Sequence, residues 1–576
     1  LPTAYINISP VKGLNNKFLL SADASAVENR FNQNPEHGDG AGRNGLVNET
    51  WYKRKRWTVQ DILSYNASFG NHNLDLTGVA EWTHYESKSV GAEVTNLSDP
   101  YYSDIIISDT FGNQLVDGSY TQNGMTSFVL RANYNYNSTY YIGGSIRYDG
   151  LSKLAKDNRW GMFYGVSAAL RLSNLKFWKE SGIGNVINDF RLRGSYAEAG
   201  NDDIGNFLYN DTFGAEMYGS QSALGYSNVE NRSLKWERQN ILDAVFDMTL
   251  LGRINLSFAY WQKNNSDIIL SVPTPPSLGV PGNSISQNYG DVKNNGIEFE
   301  ISGMVLDKKN FSWRSSINFT TQKSRVDRVV SDITSNTFLL IREGEPIYSV
   351  YAQRYAGVNM ANGNPMYYKK DGTIVQCNPT NGKYYVYNPD KPNEMSEVMN
   401  LQNDDKVILG TTIPKWFGGF DNTFTYKNWD LNLFFRFSGG NKIVNYQRLN
   451  MLSMGFYNNS KEILGRWQSP ENPGDGKMPK LYYNKTSQVN YTTSSRWVER
   501  GDFLKLQNVQ LGYSLPSSVC KKLKMQKLRM YVQAQNLWTL TPYSGLAPES
   551  YTSALGIDRS GEPQQMQFIF GLSIGF

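Results

Sequence analysis

Residues 125–150 read MTSFVLRANYNYNSTYYIGGSIRYDG. In the first half Phe128, Leu130, Ala132, Tyr134 and Tyr136 alternate with Ser127, Arg131, Asn133 and Asn135. Beyond Asn137-Ser138, Tyr140, Ile142, Ile146 and Tyr148 share one face while Thr139, Ser145, Arg147 and Asp149 share the other. A period of two is the mark of a strand with one apolar and one polar face, and a short polar join between two such runs predicts an antiparallel hairpin. Each arm is about ten residues, against five or six for an ordinary strand, and about ten is what a tilted strand needs to cross a bilayer.

The same alternation recurs. At 162–172, Met162, Tyr164, Val166, Ala168, Leu170 and Leu172 oppose Ser167 and Arg171; Ile254, Leu256, Phe258 and Tyr260 oppose Arg253, Asn255 and Ser257; Phe311, Trp313, Ile317 and Phe319 oppose Ser312, Arg314, Ser316, Asn318 and Thr320. The pattern predicts about sixteen strands: 16–26, 57–69, 72–84, 125–136, 139–149, 161–172, 188–198, 235–249, 253–264, 293–303, 311–321, 416–426, 428–438, 502–514, 527–536 and 566–576. Joins such as Gly70-Asn71, Asn137-Ser138 and Lys427 are short, whereas 27–56, 85–124, 199–234, 265–292, 322–415, 439–501 and 537–565 are long. The two kinds alternate, so one end of the sheet carries turns and the other loops, as in an outer-membrane barrel. In that reading the apolar face meets lipid. An Arg or Lys there costs about 2–4 kcal/mol at mid-bilayer, which assigns Arg147, Arg171, Arg193 and Arg314 to the lumen. Trp57, Trp82, Tyr136, Tyr148 and Trp261, at strand ends, suit interfacial belts.

Composition agrees. Of 576 residues 13% are aromatic and only 19% charged, with 51 Gly. No apolar run approaches the length of a membrane helix. The formal charge of +5 is mild for so long a chain and gives no reason to expect nucleic acid. Cys377 and Cys520 allow one disulfide or, more plainly, two free thiols. The chain ends on Phe576 after alternating Phe568, Phe570, Leu572 and Ile574.

No catalytic or cofactor constellation emerges. His37, His72 and His84 form no H-E-x-x-H, and there is no G-x-S-x-G or P-loop. Gly40, Gly42 and Gly45 make a lone G-x-G-x-x-G in a polar loop. Asp202-Asp203 and Asp404-Asp405 could ligate calcium or be solvated loop acids. Lys53-Arg54-Lys55-Arg56, flanked by Trp51 and Trp57, suits anionic headgroups or a solvated turn.

Several stretches carry a family resemblance: RLRGSYAEAGNDDIGNF (191–207), LKWERQ (234–239), VKNNGIEFEI (292–301), REGEPIYSVYAQRYAGVN (342–359), PMYYKKDGT (365–373), GRWQSPENPGDGKMPKL (465–481), FLKLQNVQLGYSLP (503–516) and YVQAQNLWTLTPYSGLAPE (531–549). Together with the 130–150 hairpin they resemble the SusC/RagA-like branch of TonB-dependent outer-membrane transporters of Bacteroidetes. The resemblance implies a 22-stranded barrel, of which residues 1–576 would be the C-terminal part, with the plug, TonB box and first strands upstream. It implies no enzyme and no cofactor, an outer-membrane location, coupling to TonB, and a SusD-like surface lipoprotein as lid. It also implies oligosaccharide or peptide cargo, and an assembly signal in the terminal strand at Phe568, Phe570, Leu572, Ile574 and Phe576. Tyr218, Tyr226, Tyr457, Trp467, Tyr482 and Tyr483, in the long loops, are the residues expected to touch cargo or lid, since aromatic faces stack on sugar rings; packing within the loops is the competing reading, most of all for Trp467. A passive porin and a secreted all-β glycan-binding or hydrolytic protein are the alternatives.

Overall fold

The computed structural model describes residues 2–97, 99, 104–105, 114–335, 338–454, 458–482, 493–549 and 555–576. Among the described residues, seventeen strands belong to its main sheet. By contact density the chain divides into two units, one made of Leu1–Leu175, Leu192–Leu242 and Asn265–Gly290, the other of Lys176–Arg191, Asp243–Asn264 and Asp291–Phe576.

The first unit begins with β1 (Thr3–Val11), β2 (Leu14–Gln33), β3 (Leu46–Phe69), β4 (His72–Thr95), β5 (Gln114–Tyr136), β6 (Tyr140–Leu151) and β7 (Trp160–Arg171). Each pairs antiparallel with the next. From β2 to β7 the register carries no shift, so one set of alternating residues stays on one face throughout. That face holds Phe18 and Leu20, Leu63 and Tyr65, Leu76 and Trp82, Phe128 and Leu130, Ile142 and Ile146, Met162 and Val166, all exposed. Leu130 is 69% exposed. The opposite face carries Ser127, fully buried, with Arg147 and Asp149. A water-soluble sandwich would bury the first set and expose the second. One polar pair interrupts the apolar face, and its members satisfy each other: Asn16 Nδ2 donates to Asp61 Oδ1 at 2.7 Å.

Aromatic rings bracket that face. Tyr148 stacks on Trp160 (4.7 Å) and Trp82 on His84 (5.9 Å) toward the loops; Phe69 and Tyr136 lie 5.4 and 4.8 Å from His72 beside the turns. From Tyr140 to Tyr148 is roughly 26 Å along the strand and about 20 Å once tilted, close to the ~25 Å apolar band of such barrels.

The strands are far longer than the alternation predicts. β3 and β4 each have 24 residues, which at about 3.3 Å per residue and a tilt of about 45° rise roughly 55 Å, twice the apolar band. The expected joins 27–56 and 85–124 are therefore largely strand, up to Gln33 and from Leu46 in one case, up to Thr95 and from Gln114 in the other. Above the bilayer no face meets lipid, so the apolar period fades while the pairing continues, and at the far end Val47, Val94 and Leu97 form a small core of their own. Lys53–Arg56 is accordingly no turn: it lies inside β3, with Lys53 and Lys55 on the face of Trp57 and Arg54 and Arg56 on the other. Of the Gly40-Gly42-Gly45 motif, Gly40 and Gly42 fall in a short helical turn, Gly38–Arg43, and Gly45 just after it, between antiparallel neighbours β2 and β3. That is a hairpin connection, the wrong topology for a dinucleotide fold. β1, which the sequence reading passed over, pairs with β2.

In the second unit Phe311–Arg328, Trp416–Tyr426, Trp429–Gly439, Phe503–Ser514, Lys527–Leu540 and Gln567–Gly575 pair in chain order. Trp313, Phe424, Leu431, Leu511, Val532 and Phe570 form one row across all six. The turns at 309–310, 427–428 and 515–526 lie at the end where the chain finishes: Lys427 N donates to Asn310 O, Ser514 N to Asn428 O, and Gln526 N to Gly575 O.

The long joins of this unit are folded and packed on one another, as the competing reading of their aromatic residues expected. Phe338, Leu339, Val350 and Ala352 from the 329–415 segment pack with Val444, Leu449, Leu452, Met454, Met478 and Trp497 from 440–502 and with Ile557 from 541–566. Three loops far apart in sequence thus share one core. Parallel pairing of Val444 with Ile557 ties the second and third, and a parallel bridge between Gln353 and Ser494 ties the first to the second. Cys377 and Cys520 are both buried and free, so the disulfide alternative is set aside.

Candidate transport surfaces: the inner face and the outer loops

On the inner face of the first unit, Arg147 Nε donates to Asp149 Oδ2 at 2.6 Å and its Nη2 to Ser127 Oγ at 3.0 Å. Arg238 Nη1 lies 3.3 Å from Glu198 Oε2, and its guanidinium sits 5.6 Å from the centre of the Phe163 ring. Phe163 in turn meets Trp236 edge-on at 5.3 Å. Phe163 lies next to outward Met162 and Tyr164 and is only 3% exposed, a member of an inward cluster with Leu151, Leu154, Leu234 and Trp236. Glycine makes room for it, since a Cβ on Gly200 would stand 2.4 Å from Phe163 Cζ. Trp236 Nε1 donates to the Arg159 carbonyl at 2.9 Å. Arg147, Asp149, Phe163, Glu198, Gly200 and Trp236 line a cavity of about 410 Å³. Its aromatic walls and paired charges could stack on a ring or grip a polar chain. A larger groove of about 730 Å³ among Leu63, Leu76, Leu130, Ile146 and Val166 opens where Gly78, Ala132 and Gly144 thin the outward face, so its place and apolar lining assign it to lipid.

The inner face of the second unit is a polar ladder. Asn432 Nδ2 donates to Asp421 Oδ2 (2.9 Å) and Thr423 Oγ1 (3.0 Å), and Asn508 Nδ2 donates to Asn432 Oδ1 (3.2 Å). Nearer the loops, paired Arg436 and Lys505 hold a segment of the 541–566 loop. Lys505 Nζ donates to Glu549 Oε1 at 2.5 Å and to Gln564 Oε1 at 2.7 Å. Arg436 Nη1 stands 3.1 Å from Glu549 Oε2 without the alignment of a hydrogen bond. The Lys505 and Glu549 side chains are 6% and 10% exposed. A loop is therefore pinned to the barrel wall by a nearly buried ion pair.

The loop core has its own electrostatics. Burial would raise Asp405, but Lys369 Nζ at 2.8 Å and the backbone N–H groups of Gln402 and Lys370 hold its carboxyl below the ordinary range. Those donors occupy its oxygens, so the calcium reading of Asp404-Asp405 has no support at that residue. Glu462, hydrogen-bonded to Arg448, raises that guanidinium, and burial lowers Arg496, which lies 4.5 Å from the Trp497 ring and 5.5 Å from that of Tyr355. Burial pushes the Cys377 thiol up to about 12, leaving it protonated and inert.

The aromatic residues expected to form a recognition surface do not gather in one place. Tyr218 (84% exposed) and Tyr226 (53%) lie on one hairpin, Thr212–Tyr218 with Gln221–Asn228. The register pairs Tyr226 with Phe213 and Tyr218 with Gln221, which puts the two tyrosines on opposite faces. Tyr226 shares its face with Phe213, Met217 and Leu224, all more than half exposed. Trp467 and Tyr482 belong to the second unit and meet at Lys480, whose Nζ is 5.9 and 5.0 Å from their rings. Trp467 Nε1 donates to the Met360 carbonyl at 2.8 Å and its ring covers Gly363, while Tyr482 packs on the loop core. Both engage the loops themselves. Tyr457 and Tyr483 lie outside the described residues. At the C-terminus Phe568, Phe570, Leu572 and Ile574 share one exposed face, with Phe576 81% exposed beyond them.

Comparison with known proteins places this architecture. Residues 11–537 match the family described as TonB dependent receptor-like, beta-barrel. The chain belongs to that family. Among relatives of this receptor-type barrel are TonB-dependent receptor P3 of Formosa agariphila, 29% identical over 93% of the chain and 54% of that protein, and TonB-dependent receptor SusC of Bacteroides thetaiotaomicron, 25% identical over 79% and 44%. The chain thus spans about half the length of the curated relatives it matches. A solved structure titled as the RagAB peptide transporter superposes over 100% of the chain and 61% of its own, with a TM-score of 0.84 at 23% identity, which establishes a shared fold. The short turns of the barrel are periplasmic, the long loops extracellular, and the apolar face meets the bacterial outer membrane.

Proposed function

We propose that the chain forms most of the wall and the outer mouth of an energy-coupled importer of oligosaccharides or peptides, completed by further strands to a 22-stranded barrel, coupled to TonB and closed by a SusD-like lipoprotein. The observation that carries this reading is the extracellular core built from three loops, Leu339 and Val350 against Val444, Trp497 and Ile557. A passive pore needs only short constrictions, whereas a platform this size above the membrane suits capture and a lid. The family match, the names of its relatives and the shared fold support the same reading. For the lid, the support is the Phe213–Met217–Leu224–Tyr226 face, which an isolated two-stranded hairpin would not keep exposed in water unless something covered it. Cargo contacts are proposed for the inward cavity at Trp236 and Arg147, and Trp467 and Tyr482 for shaping the loops. The terminal Phe568–Phe576 face is proposed as the assembly signal, and deleting Phe576 should lower the yield of folded protein in the membrane.

The test is uptake of labelled oligosaccharide or peptide by cells carrying the full-length protein. Loss of uptake when TonB is deleted supports the reading; undiminished uptake makes the barrel a passive pore. Met217→Asp with Leu224→Asp should release a co-expressed tagged lipoprotein without changing barrel yield.

A further inference from the structure

The periplasmic turns of the second unit carry charge that the import reading does not use. Lys308 and Lys309 lie at the 309–310 turn, Lys427 at the next, and Lys521, Lys522 and Lys524 in the 515–526 segment, all exposed. The backbone bonds Lys427 N to Asn310 O and Ser514 N to Asn428 O make the turns consecutive. Among the described residues Asp307 is the carboxylate of these turns with no ion-pair partner, whereas Asp430 is occupied by Arg529 at 2.5 Å. With exposed Lys527, which opens the strand after that segment, seven lysines less Asp307 give +6, against a formal charge of +5 for the whole 576-residue chain.

Depth and apolar company say what this charge faces. Lys427 lies between Tyr426 (53% exposed) and Trp429 (48%), and the Trp429 ring stands 4.7 Å from that of Tyr513, so the lysine sits just past an interfacial aromatic belt. Lys308 is in register with Phe311 on the lipid side. In the short helix Ser517–Lys522 and the residue after it, Cys520 is buried, while Val519 (39%) and Leu523 (50%), four apart, are open. Open Val and Leu among Lys521, Lys522 and Lys524 form the mixed apolar and basic surface that lies in a membrane interface, with lysine stems along the acyl boundary and ammonium groups at the phosphates.

We infer that this rim is a docking surface for anionic phospholipid headgroups of the inner leaflet, phosphatidylglycerol by chemistry. An acidic periplasmic protein would match the charge but would leave Val519 and Leu523 in water. Clustered lysines beside a membrane segment attract anionic lipid by about a factor of five per charge.

The experiment uses the full chain in zwitterionic detergent, with phosphatidylglycerol and phosphatidylethanolamine offered together and retained lipid counted by native mass spectrometry across a salt series. The barrel should retain phosphatidylglycerol preferentially. The variant Lys309→Gln, Lys427→Gln, Lys521→Gln, Lys522→Gln and Lys524→Gln should lose that preference about tenfold or more while keeping heat-modifiable gel mobility. The matching five-Arg variant should keep it, and Val519→Ser with Leu523→Ser should lower retention of both lipids without changing their ratio. An unchanged preference in the Gln variant overturns the inference, as does loss of preference in the Arg variant, or a soluble poly-glutamate peptide bound in place of phosphatidylglycerol.

Discussion

Removing one partner from the pair that pins the 541–566 loop should be costly. Lys505 Nζ and Glu549 Oε1 are 2.5 Å apart with side chains 6% and 10% exposed, and a buried pair broken from one side typically costs about 3–5 kcal/mol because a charge is left unpaired. In Glu549→Gln, Gln564 still accepts from Lys505 at 2.7 Å, and Arg436, already misaligned, can turn to solvent, so the lower end, about 3 kcal/mol, is expected. Lys505→Met with Glu549→Met removes both charges and should cost much less than either single change, because an apolar replacement of a whole pair is often near neutral. The assay is hydrogen exchange at 541–549 and 555–566 in micelles, read with urea unfolding of the loop region. Loss of protection confined to this loop in Glu549→Gln, largely restored in the double variant, is the expected result. Exchange within about 0.5 kcal/mol of the parent in the single variant would refute the claim that this pair holds the loop.

Two further outcomes follow from the same geometry. Leu130→Arg, on the outward face between the aromatic belts, should destabilise the barrel in lipid vesicles by about 2–4 kcal/mol, whereas Asn133→Arg, inward and in register with Asp75, should be nearly neutral; equal effects in denaturant titrations would contradict the facing. Asp405 has a depressed pKa when folded, so its stabilisation is complete above the unfolded carboxylate value of about 3.9 and is lost as pH falls through the lower folded value. Exchange at 369–406 should rise only below about pH 4, and Asp405→Asn should abolish that acid step.

Much of the barrel was legible from period alone, because lipid on one side and water on the other impose opposite chemistry on neighbouring residues such as Ile146 and Arg147. The reading failed where that contrast ends. Residues 51–56 of β3 are largely open to water on both sides, so strand continues without an apolar period to announce it. β1 is short, and its alternation was passed over. Phe163 belongs to the inner face yet is aromatic, and only its place between outward Met162 and Tyr164 reveals where it points. The loop core was hidden because its members come from three segments, and no local pattern in Val350, Val444 or Ile557 announces that they meet. Lys505 and Glu549 lie 44 positions apart in sequence and likewise carry no local signal. The periplasmic lysines were visible as residue types, but only the backbone bonds between turns show that they form one surface.

The central claim is that lipid touches the apolar face of these strands. Single cysteines placed in turn at 128–133 and 142–147, each carrying a spin label, with the barrel in vesicles, test it directly. The account predicts collision with oxygen, which partitions into the bilayer, at 128, 130, 142 and 146, and with a water-soluble nickel chelate at 129, 131, 133, 145 and 147. Accessibility that does not alternate, or oxygen collisions following the Arg147 face, would contradict it.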